Sequence, residues 1–395
     1  MGAPRLGLLR EHDFRQLFVA DTISQLGTQV SQLALPLVAV LVLHASNFAV
    51  GVLIACDTLA FLLVGRAVVL GSVPVAWALG LLSMPQLYVV GLVAGVLTVF
   101  FDVAYQSYLP HLVGRDHLVE GNAKLEAVRS VNQIAGPTGA GFAIQALGAP
   151  LAVALDAVSF AGSALFVGLI RKREPRPERA PDARLGREIV EGLRFVLGNR
   201  LLRSIAACTG TSNLFTSITY AMVIVLLARD LGLRPATIGL FFSAAAVGGL
   251  LGALATDRIA RRLGQGPTIW ISAAVGALFG LAVPLVQRGW LLWAAGAANT
   301  VFWACVVIYN VTQVSFRQRL TPERMLGRMN ATMRFLVWGT MPIGSFLGGL
   351  LGQYFGARIA VWIGAIGATT AFLPVFASPL RNMRELPTAD VRDAA

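Results

Sequence analysis

Charged side chains are scarce in this chain. Asp, Glu, Lys and Arg make up 13% of its 395 residues, whereas a soluble domain carries about a quarter. Hydrophobic residues make up 56%, and the mean hydropathy is +0.70. The net charge of +12 does not point to nucleic acid, because the basic residues stand in short segments between long apolar runs. The composition excludes a soluble enzyme and a disordered regulator, and it predicts a polytopic membrane protein.

Cysteine and histidine are also rare, at three and four residues. Cys56, Cys208 and Cys305 all lie in apolar runs, where cysteine behaves as a small hydrophobe and not as a disulfide or metal ligand. The sequence has no phosphate-binding loop and no arrangement of a nucleophile with a base. We therefore expect no enzyme activity, no metal and no cofactor, and an ion gradient as the energy source.

Long apolar runs recur along the chain, each near the roughly 20 residues that a helix needs to cross a bilayer. We expect helices, because the runs lack the alternation of barrel strands. Twelve spans are predicted, at residues 14–43, 48–64, 67–82, 86–110, 127–147, 150–170, 201–227, 236–254, 267–285, 290–314, 333–353 and 358–376. They form two predicted six-helix bundles, 1–170 and 201–376, with a central loop at 171–200 and a tail at 377–395.

The basic residues test this topology. Of the 32 Lys and Arg residues, only Arg229, Arg234, Arg288 and Arg358 fall in predicted outer loops. By the positive-inside rule, both termini are then cytoplasmic. We expect a multi-pass protein of the plasma (inner) membrane, and the excess of arginine over lysine is typical of a GC-rich bacterium. The central loop is interpreted as a charged linker along the anionic inner leaflet, or alternatively as a partner-binding segment.

One polar face repeats along the chain. The residues on one face of the first span are Asp21, Gln25, Thr28, Gln29 and Gln32. The same spacing recurs in the seventh span, at a constant numbering offset of 188, in Thr209, Asn213, Thr216, Ser217 and Tyr220. Two halves related by pseudo-symmetry, with polar first helices, are typical of transporters with a central site.

The repeat is interrupted in the first half. Gln106 and Gln313 correspond at a numbering offset of 207, whereas the first helices correspond at 188. The first half therefore lacks a net 19 residues between about Gly51 and Asp102. We predict that helices 2 and 3 are truncated, to 48–64 and 67–82, with Gly65-Arg66 as the break between them.

Several segments resemble the major facilitator superfamily. They are Ser24-Gln-Leu-Gly27, the sequence FDVAYQSYLP at 101–110, Gly136-Pro137, and the loop with Asp257, Arg258, Arg261 and Arg262. The chain resembles the proton-driven drug-efflux branch near the enterobactin and macrolide exporters. The resemblance implies two six-helix bundles, a proton-leak seal at Gly136-Pro137 and an inner-gate lock at the charged loop. Thr28 stands where the family often has Asp, Asn132 stands where a glycine is expected, and the family's motif between helices 2 and 3 is missing.

Asp21 is the first candidate for proton binding. A carboxylate inside a span is rare and usually faces a cavity or a partner, and burial disfavours its charged form. A structural hydrogen bond to a neighbouring helix is the alternative. Asp102 is predicted to pair with Arg129 or with the later loop arginines, either as a gate or as a fixed ion pair. Asp156 is interpreted as structural.

The candidate site residues fall into two groups. The predicted substrate and proton pathway comprises Asp21, Gln25, Gln29, Gln32, Asp102, Gln106, Asn213, Tyr220, Asn310 and Gln313. The predicted gating residues are Arg129, Asp257, Arg258, Arg261, Arg262, Gly136 and Pro137. The alternative role of Gly136 and Pro137 is plain helix packing. The alternative role of the charged loop is to set the membrane topology by its charge.

Two functions stay open. The leading one is a secondary active transporter that exports a small amphiphilic compound, a drug or a siderophore-like molecule, by proton antiport with alternating access. It would act as a monomer in the lipid bilayer, with protons and a small molecule as partners and no nucleic acid. The alternative is a transporter-derived membrane protein that lacks a working cycle because the loop between helices 2 and 3 is deleted.

Overall fold

The computed structural model of the protein describes residues 7–57, 63–93, 112–113, 118–171 and 185–384. Within these ranges every regular element is helical. An all-helical chain of this hydropathy satisfies its backbone hydrogen bonds within each helix, as a bilayer requires. The described helices group into two compact units.

The first unit comprises Met1–Glu178 and Leu227–Ser243. Its helices are, in chain order, α1 (His12–Leu37), α2 (Asn47–Asp57), α3 (Leu63–Ala78), α4 (Met84–Val93), α5 (Leu118–Leu147) and α6 (Ala149–Gly168). Helix α1 packs along both α5 and α6, and α3 packs on α6. Helix α1 is therefore the element around which the described part of this unit is built.

The second unit comprises Arg179–Leu226 and Ala244–Ala395. Its helices are α7 (Leu185–Gly198), α8 (Arg200–Val225), α9 (Pro235–Leu263), α10 (Gln265–Gly280), α11 (Trp290–Leu320), α12 (Leu326–Trp338), α13 (Thr340–Phe355), α14 (Ala357–Ala368) and α15 (Leu373–Phe376). Residues 235–243, the beginning of α9, belong to the first unit. Helix α8 packs against α12, α13 and α14, while α10 packs along α11.

Eight helical runs in the described part of the chain are long and apolar enough to cross a membrane. They are His12–Val42, Ala149–Gly168, Arg200–Asp230, Pro235–Leu263, Gln265–Leu285, Trp290–Leu320, Leu326–Phe355 and Ala357–Phe376. The other four predicted spans correspond to α2, α3, α4 and α5, which are shorter or less apolar over the described residues. The span at 86–110 begins with α4 and continues outside the described residues. The count of twelve spans and the truncation of helices 2 and 3 therefore stay predictions. The predicted break at Gly65-Arg66 is wrong, because α3 begins at Leu63 and includes both residues.

Several helices are longer than the predicted apolar runs. Helix α5 begins at Leu118 instead of residue 127, α9 ends at Leu263 instead of 254, and α11 ends at Leu320 instead of 314. Hydropathy marks the part of a helix that suits hydrocarbon, but the hydrogen-bonded helix continues into charged ends such as the one with Arg261 and Arg262. The turn from α9 to α10 is made by Gly264, whose positive φ of 90° suits glycine.

The first helices of the two predicted halves have matching bounds. Helix α1 runs His12–Leu37 and continues as a π-helical turn at Val38–Val42. Helix α8 runs Arg200–Val225 and continues as a π-helical turn at Leu226–Asp230. The bounds of the second pair all differ from those of the first by the numbering offset of the polar face, 188. This agreement supports the predicted repeat at its first helix, and the pseudo-symmetry of the complete halves stays a prediction.

Glycines bring α9 and α11 into close contact within the second unit. A Cβ on Gly248 would overlap the carbonyl oxygen of Thr300, and a Cβ on Gly252 would overlap that of Ala304. The Thr300 hydroxyl also donates to the Ala244 carbonyl at 3.0 Å. Such small-residue contacts let helix backbones approach each other in a membrane, where no hydrophobic effect drives helices together.

The pair Gly248 and Gly249 provides a test of this contact. Gly248→Ala forces the α9 and α11 backbones apart, so we expect the free energy of unfolding to fall by about 1 to 3 kcal/mol. Gly249→Ala is the matched control, because its Cβ would lie 3.5 Å from a Val307 methyl group, an ordinary contact. Chemical unfolding in detergent micelles measures both variants. Equal stability of the two variants would contradict the close packing.

Candidate functional site

The polar face of α1 carries a buried carboxyl group. Asp21 is 5% exposed, and its Oδ2 accepts a hydrogen bond of 2.6 Å from Nε2 of the half-buried Gln25. The Ser24 hydroxyl donates to the Asp21 carbonyl oxygen at 3.2 Å. A short hydrogen bond to an ionisable group is among the stronger ones in proteins. The structure thus brings together two of the predicted pathway residues as a hydrogen-bonded pair.

The same face of α1 touches the Gly-Pro segment of α5. A Cβ on Gly136 would overlap the side chain of Gln29. Gln29 is half-buried, whereas Gln32, one turn further along, is exposed. Gly136 was predicted from the antiporter resemblance and Gln29 from the polar face, and the structure places the two in contact.

Helix α6 closes on α1 at the glycine of the Ser24-to-Gly27 segment. A Cβ on Gly27 would overlap both the Ser159 hydroxyl and the carboxyl group of Asp156. Asp156 is completely buried, and the Ser159 hydroxyl lies 2.8 Å from its carbonyl oxygen and 3.2 Å from its Oδ1. The glycine is required here because the buried Asp156 and the half-buried Ser159 of α6 occupy the space of a side chain.

The remainder of the Gly-Pro segment packs against the beginning of α9, within the first unit. A Cβ on Gly239 would overlap the Pro137 carbonyl oxygen. The Thr138 amide donates to the Ser243 hydroxyl at 3.0 Å, and the two hydroxyl oxygens are 2.7 Å apart. Proline disturbs the regular hydrogen bonds of a helix, and here a side chain of α9 accepts from the amide that follows it. Gly136 and Pro137 thus contact two different helices.

The second unit contains a narrow, mainly apolar cleft between α8, α10, α11 and the end of α14, with a cavity volume of about 40 Å³. Its lining residues are Cys208, Thr209, Ser212, Asn213, Ser272, Ala273, Gly276, Ala277, Phe302, Val306, Tyr309, Asn310, Ala368 and Ala371. The Tyr309 hydroxyl lies 2.5 Å from the Thr209 hydroxyl, which donates to the Ile205 carbonyl at 2.8 Å. Because Thr209 has only one proton, Tyr309 is the donor of this pair.

Some of the predicted pathway residues of the second half line this cleft, and others lie away from it. Asn213 and Asn310 line it, and the Asn213 amide donates to the Val337 carbonyl at 3.1 Å. Gln313 is buried one turn further along α11 and does not line the cleft. Tyr220 is 38% exposed and packs edge-on against Trp303, at 6.1 Å between ring centres, away from the cleft.

Sequence reasoning missed the contribution of α10 and the aromatic wall. Ser272 and Gly276 of α10 line the cleft, and Phe302 of α11 supplies an aromatic ring. The available signal was the stripe of Thr268, Ser272 and Gly276 at helical spacing, where small and polar residues interrupt an apolar run. That stripe is weaker than the one on α1 because it contains no charged or amide side chain.

The predicted gating residues are mostly exposed in the described part of the chain. Asp257 and Arg261 form a 2.8 Å ion pair within α9, with side chains 74% and 72% exposed, and Arg129, Arg258 and Arg262 are also exposed. An exposed pair within one helix contributes little stability. Asp102 and Gln106 lie outside the described residues, so the proposed pairing of Asp102 with Arg129 stays a prediction.

An ion pair that was not predicted joins the central segment to α12. Glu191 of α7 contacts Arg328 at 2.9 Å. Val196 on the same helix is completely buried in a core with Ile205 and Met329. Part of the predicted central loop is therefore a helix that is anchored to the second unit.

Comparisons with known proteins agree on one family. The family described as "Transmembrane secretion effector" matches residues 61–393. The multidrug efflux pump Tap of Mycolicibacterium fortuitum is 28% identical over 340 residues, which cover 82% of this chain and 79% of Tap. The enterobactin exporter EntS of Salmonella typhimurium is 25% identical over 250 residues, which cover 63% of this chain and 58% of EntS.

Solved structures of transporters have the same fold. A bacterial homologue of the iron transporter ferroportin matches with a TM-score of 0.73 and 17% identity, covering 94% of this chain and 99% of its own. The nucleoside transporter NupG matches with a TM-score of 0.72 and 11% identity, covering 92% and 98%. At these identities the likeness concerns the fold alone.

The hydroxyl pair of the cleft can be tested by Tyr309→Phe. This change removes a donor from a buried group, so we expect the free energy of unfolding to fall by about 1 kcal/mol. Tyr354→Phe is the control, because Tyr354 is exposed. Chemical unfolding in detergent micelles gives the comparison, and an unchanged stability of Tyr309→Phe would show that the bond is not formed.

Proposed function

The chain belongs to the transmembrane secretion effector family of the major facilitator superfamily, and from this premise we propose that it exports a small amphiphilic compound in exchange for protons. Its family and relatives make it a membrane transporter of the efflux type and not an enzyme. The observation that carries the coupling part of the proposal is the buried Asp21 carboxyl, held by Gln25 on the polar face of α1.

Asp21 supplies the proton site in this proposal. An ionisable group within a spanning helix is a functional candidate, because hydrocarbon strongly disfavours its charge. Gln25 stabilises the carboxylate through its amide N–H at 2.6 Å. The amide can also turn and accept from the protonated acid, because it carries both a donor and an acceptor. The pair can therefore serve both protonation states in turn.

The cleft of the second unit supplies a substrate subsite. It combines hydroxyl and amide groups from Thr209, Asn213 and Asn310 with the ring of Phe302. Ligand sites of this type are mostly apolar, with a few polar groups that fix orientation. An amphiphilic compound with an aromatic part and hydrogen-bonding groups suits this lining. A drug and a siderophore-like molecule both meet this description.

The close packing of the Gly-Pro segment of α5 supports the antiport part of the proposal. The side chain of Gln29 of α1 occupies the space beside Gly136, and Pro137 packs on Gly239 of α9. This segment is packed tightly between α1 and α9. Such packing is suited to block proton leak through the first unit, as the antiporter resemblance implies.

The proposal further includes alternating access, a monomer in the plasma membrane, and both termini in the cytoplasm. The orientation of the termini is supported by the strong excess of Lys and Arg in the predicted inner segments.

The alternative of a transporter-derived protein without a cycle rests on the predicted deletion between Gly51 and Asp102. Residues 58–62 and 94–102 of that region lie outside the described residues. An assay of gradient-driven flux in proteoliposomes separates the two functions. Absence of gradient-driven flux for every compound in a varied panel would favour the alternative.

Asp21→Asn tests the proposed function. In proteoliposomes with an imposed pH gradient, the wild type should accumulate at least one compound of a panel such as ethidium, a macrolide and a tris-catecholate. We expect Asp21→Asn to reduce this accumulation to the level of empty liposomes, because the amide cannot exchange a proton. Glu11→Gln is the matched control, since Glu11 carries an exposed carboxyl group at the beginning of the same helix and belongs to neither group of candidate residues. Gradient-driven flux that survives in Asp21→Asn would assign proton coupling to another group.

A further inference from the structure

Helix α7 has an apolar face that is exposed. Ile189, Val190 and Leu197 are each about half exposed, and with the half-buried Leu193 they stand at the spacing of one helix face. A different face of α7 is anchored to the second unit, because Val196 is completely buried in a core with residues of α8 and α12. The protein thus holds α7 in place by one face and leaves apolar side chains exposed on another.

The contact of α7 with α8 sets its depth in the membrane. The spanning run that begins with α8 is Arg200–Asp230, 31 residues, and at 1.5 Å per residue it is about 46 Å long. A bilayer with its headgroups is about 40–45 Å thick, so the first turn of α8 lies among the headgroups. Val196 packs in the same core as Ile205, which follows Arg200 by less than two turns. The last turns of α7 therefore also lie at the depth of the headgroups.

Three exposed arginines stand at the corner between α7 and α8: Arg194, Arg200 and Arg203. The Arg203 guanidinium donates to the Leu197 carbonyl at 3.1 Å. Arg194 is a neighbour of Leu197 on the surface of α7, and Arg200 is a neighbour of Arg203 on α8. In the described part of the chain, no carboxylate lies within ion-pair distance of any of the three. Their charge is therefore available to an anion from outside the protein.

Apolar side chains beside unpaired arginines, at headgroup depth, have the chemistry that recognises an anionic lipid. Acyl chains cover the apolar face, and the lipid phosphate accepts hydrogen bonds from the guanidinium groups. We propose that the end of α7 and the beginning of α8 form a binding site for an anionic phospholipid of the leaflet in which α8 begins. A membrane suits this face better than a protein partner does, because α7 is fixed at the depth of the headgroups. The inference is independent of the proposed export and of Asp21.

The test measures lipid association in the full-length protein. A fluorescent label is attached to Val190→Cys, in a variant with Cys56, Cys208 and Cys305 replaced by alanine. The protein is reconstituted in phosphatidylcholine vesicles that contain either brominated phosphatidylglycerol or brominated phosphatidylcholine. Quenching of the label by each brominated lipid gives the association constant of one relative to the other. We expect both lipids to quench, and phosphatidylglycerol to associate more tightly, because its headgroup carries a net negative charge.

Charge variants show whether the arginines form the site. Arg194→Gln and Arg200→Gln should each lower the preference for phosphatidylglycerol about fivefold, which is the usual effect of one arginine near an anionic surface. Arg200→Lys keeps the charge and should keep the preference. Arg234→Gln is the matched control, because it removes an exposed arginine from a predicted outer loop and should leave the preference unchanged.

Three results would overturn the proposal. A label that neither lipid quenches would show that a protein segment or a second copy of the chain covers the face. Equal association of the two lipids would show contact with the bilayer without recognition of the headgroup. An equal loss of preference in Arg234→Gln would show an effect of total charge instead of a site. If the Val190→Cys protein does not fold, Ile189→Cys carries the label on the same face.

Discussion

The architecture depends on one constraint: a polar group inside a bilayer needs a partner or water, because hydrocarbon offers neither. The chain meets this constraint by pairing polar side chains of its spanning helices with one another, either within one helix or between two helices. Asp21 lies against Gln25, Asp156 against Ser159, and Tyr309 against Thr209. The first two pairs each lie within one helix, and the third joins α8 to α11.

Two glycines allow α1 to pack closely against α5 and α6. Gly27 accommodates the Asp156 carboxyl, and Gly136 accommodates Gln29. In each case a polar side chain fills the space that a Cβ would occupy, so α1 is held on one side by α6 and on the other by α5. The proposed proton site at Asp21 consequently lies on a helix that is packed closely on both sides.

The sequence predicted the elements better than the contacts between them. The constant numbering offset between the two polar faces predicted a repeat, and the structure gives α1 and α8 matching bounds and a π-helical turn at the end of each. The periodicity of α1 located Asp21 and Gln25. It did not locate Ser272 at the cleft, because the pattern of one helix contains no information on its register against another. The Glu191–Arg328 pair was missed for the same reason.

The central claim is that the Gln25 face of α1 borders a wet interior and not lipid. Spin labels on Gln25→Cys and Leu26→Cys, in a variant with Cys56, Cys208 and Cys305 replaced by alanine, test it directly, since Leu26 is 46% exposed and adjacent in sequence. In liposomes, collision rates with oxygen report contact with lipid, and those with a water-soluble nickel chelate report contact with water. The account predicts more collisions with nickel at position 25 and with oxygen at position 26, and the reverse order would contradict it.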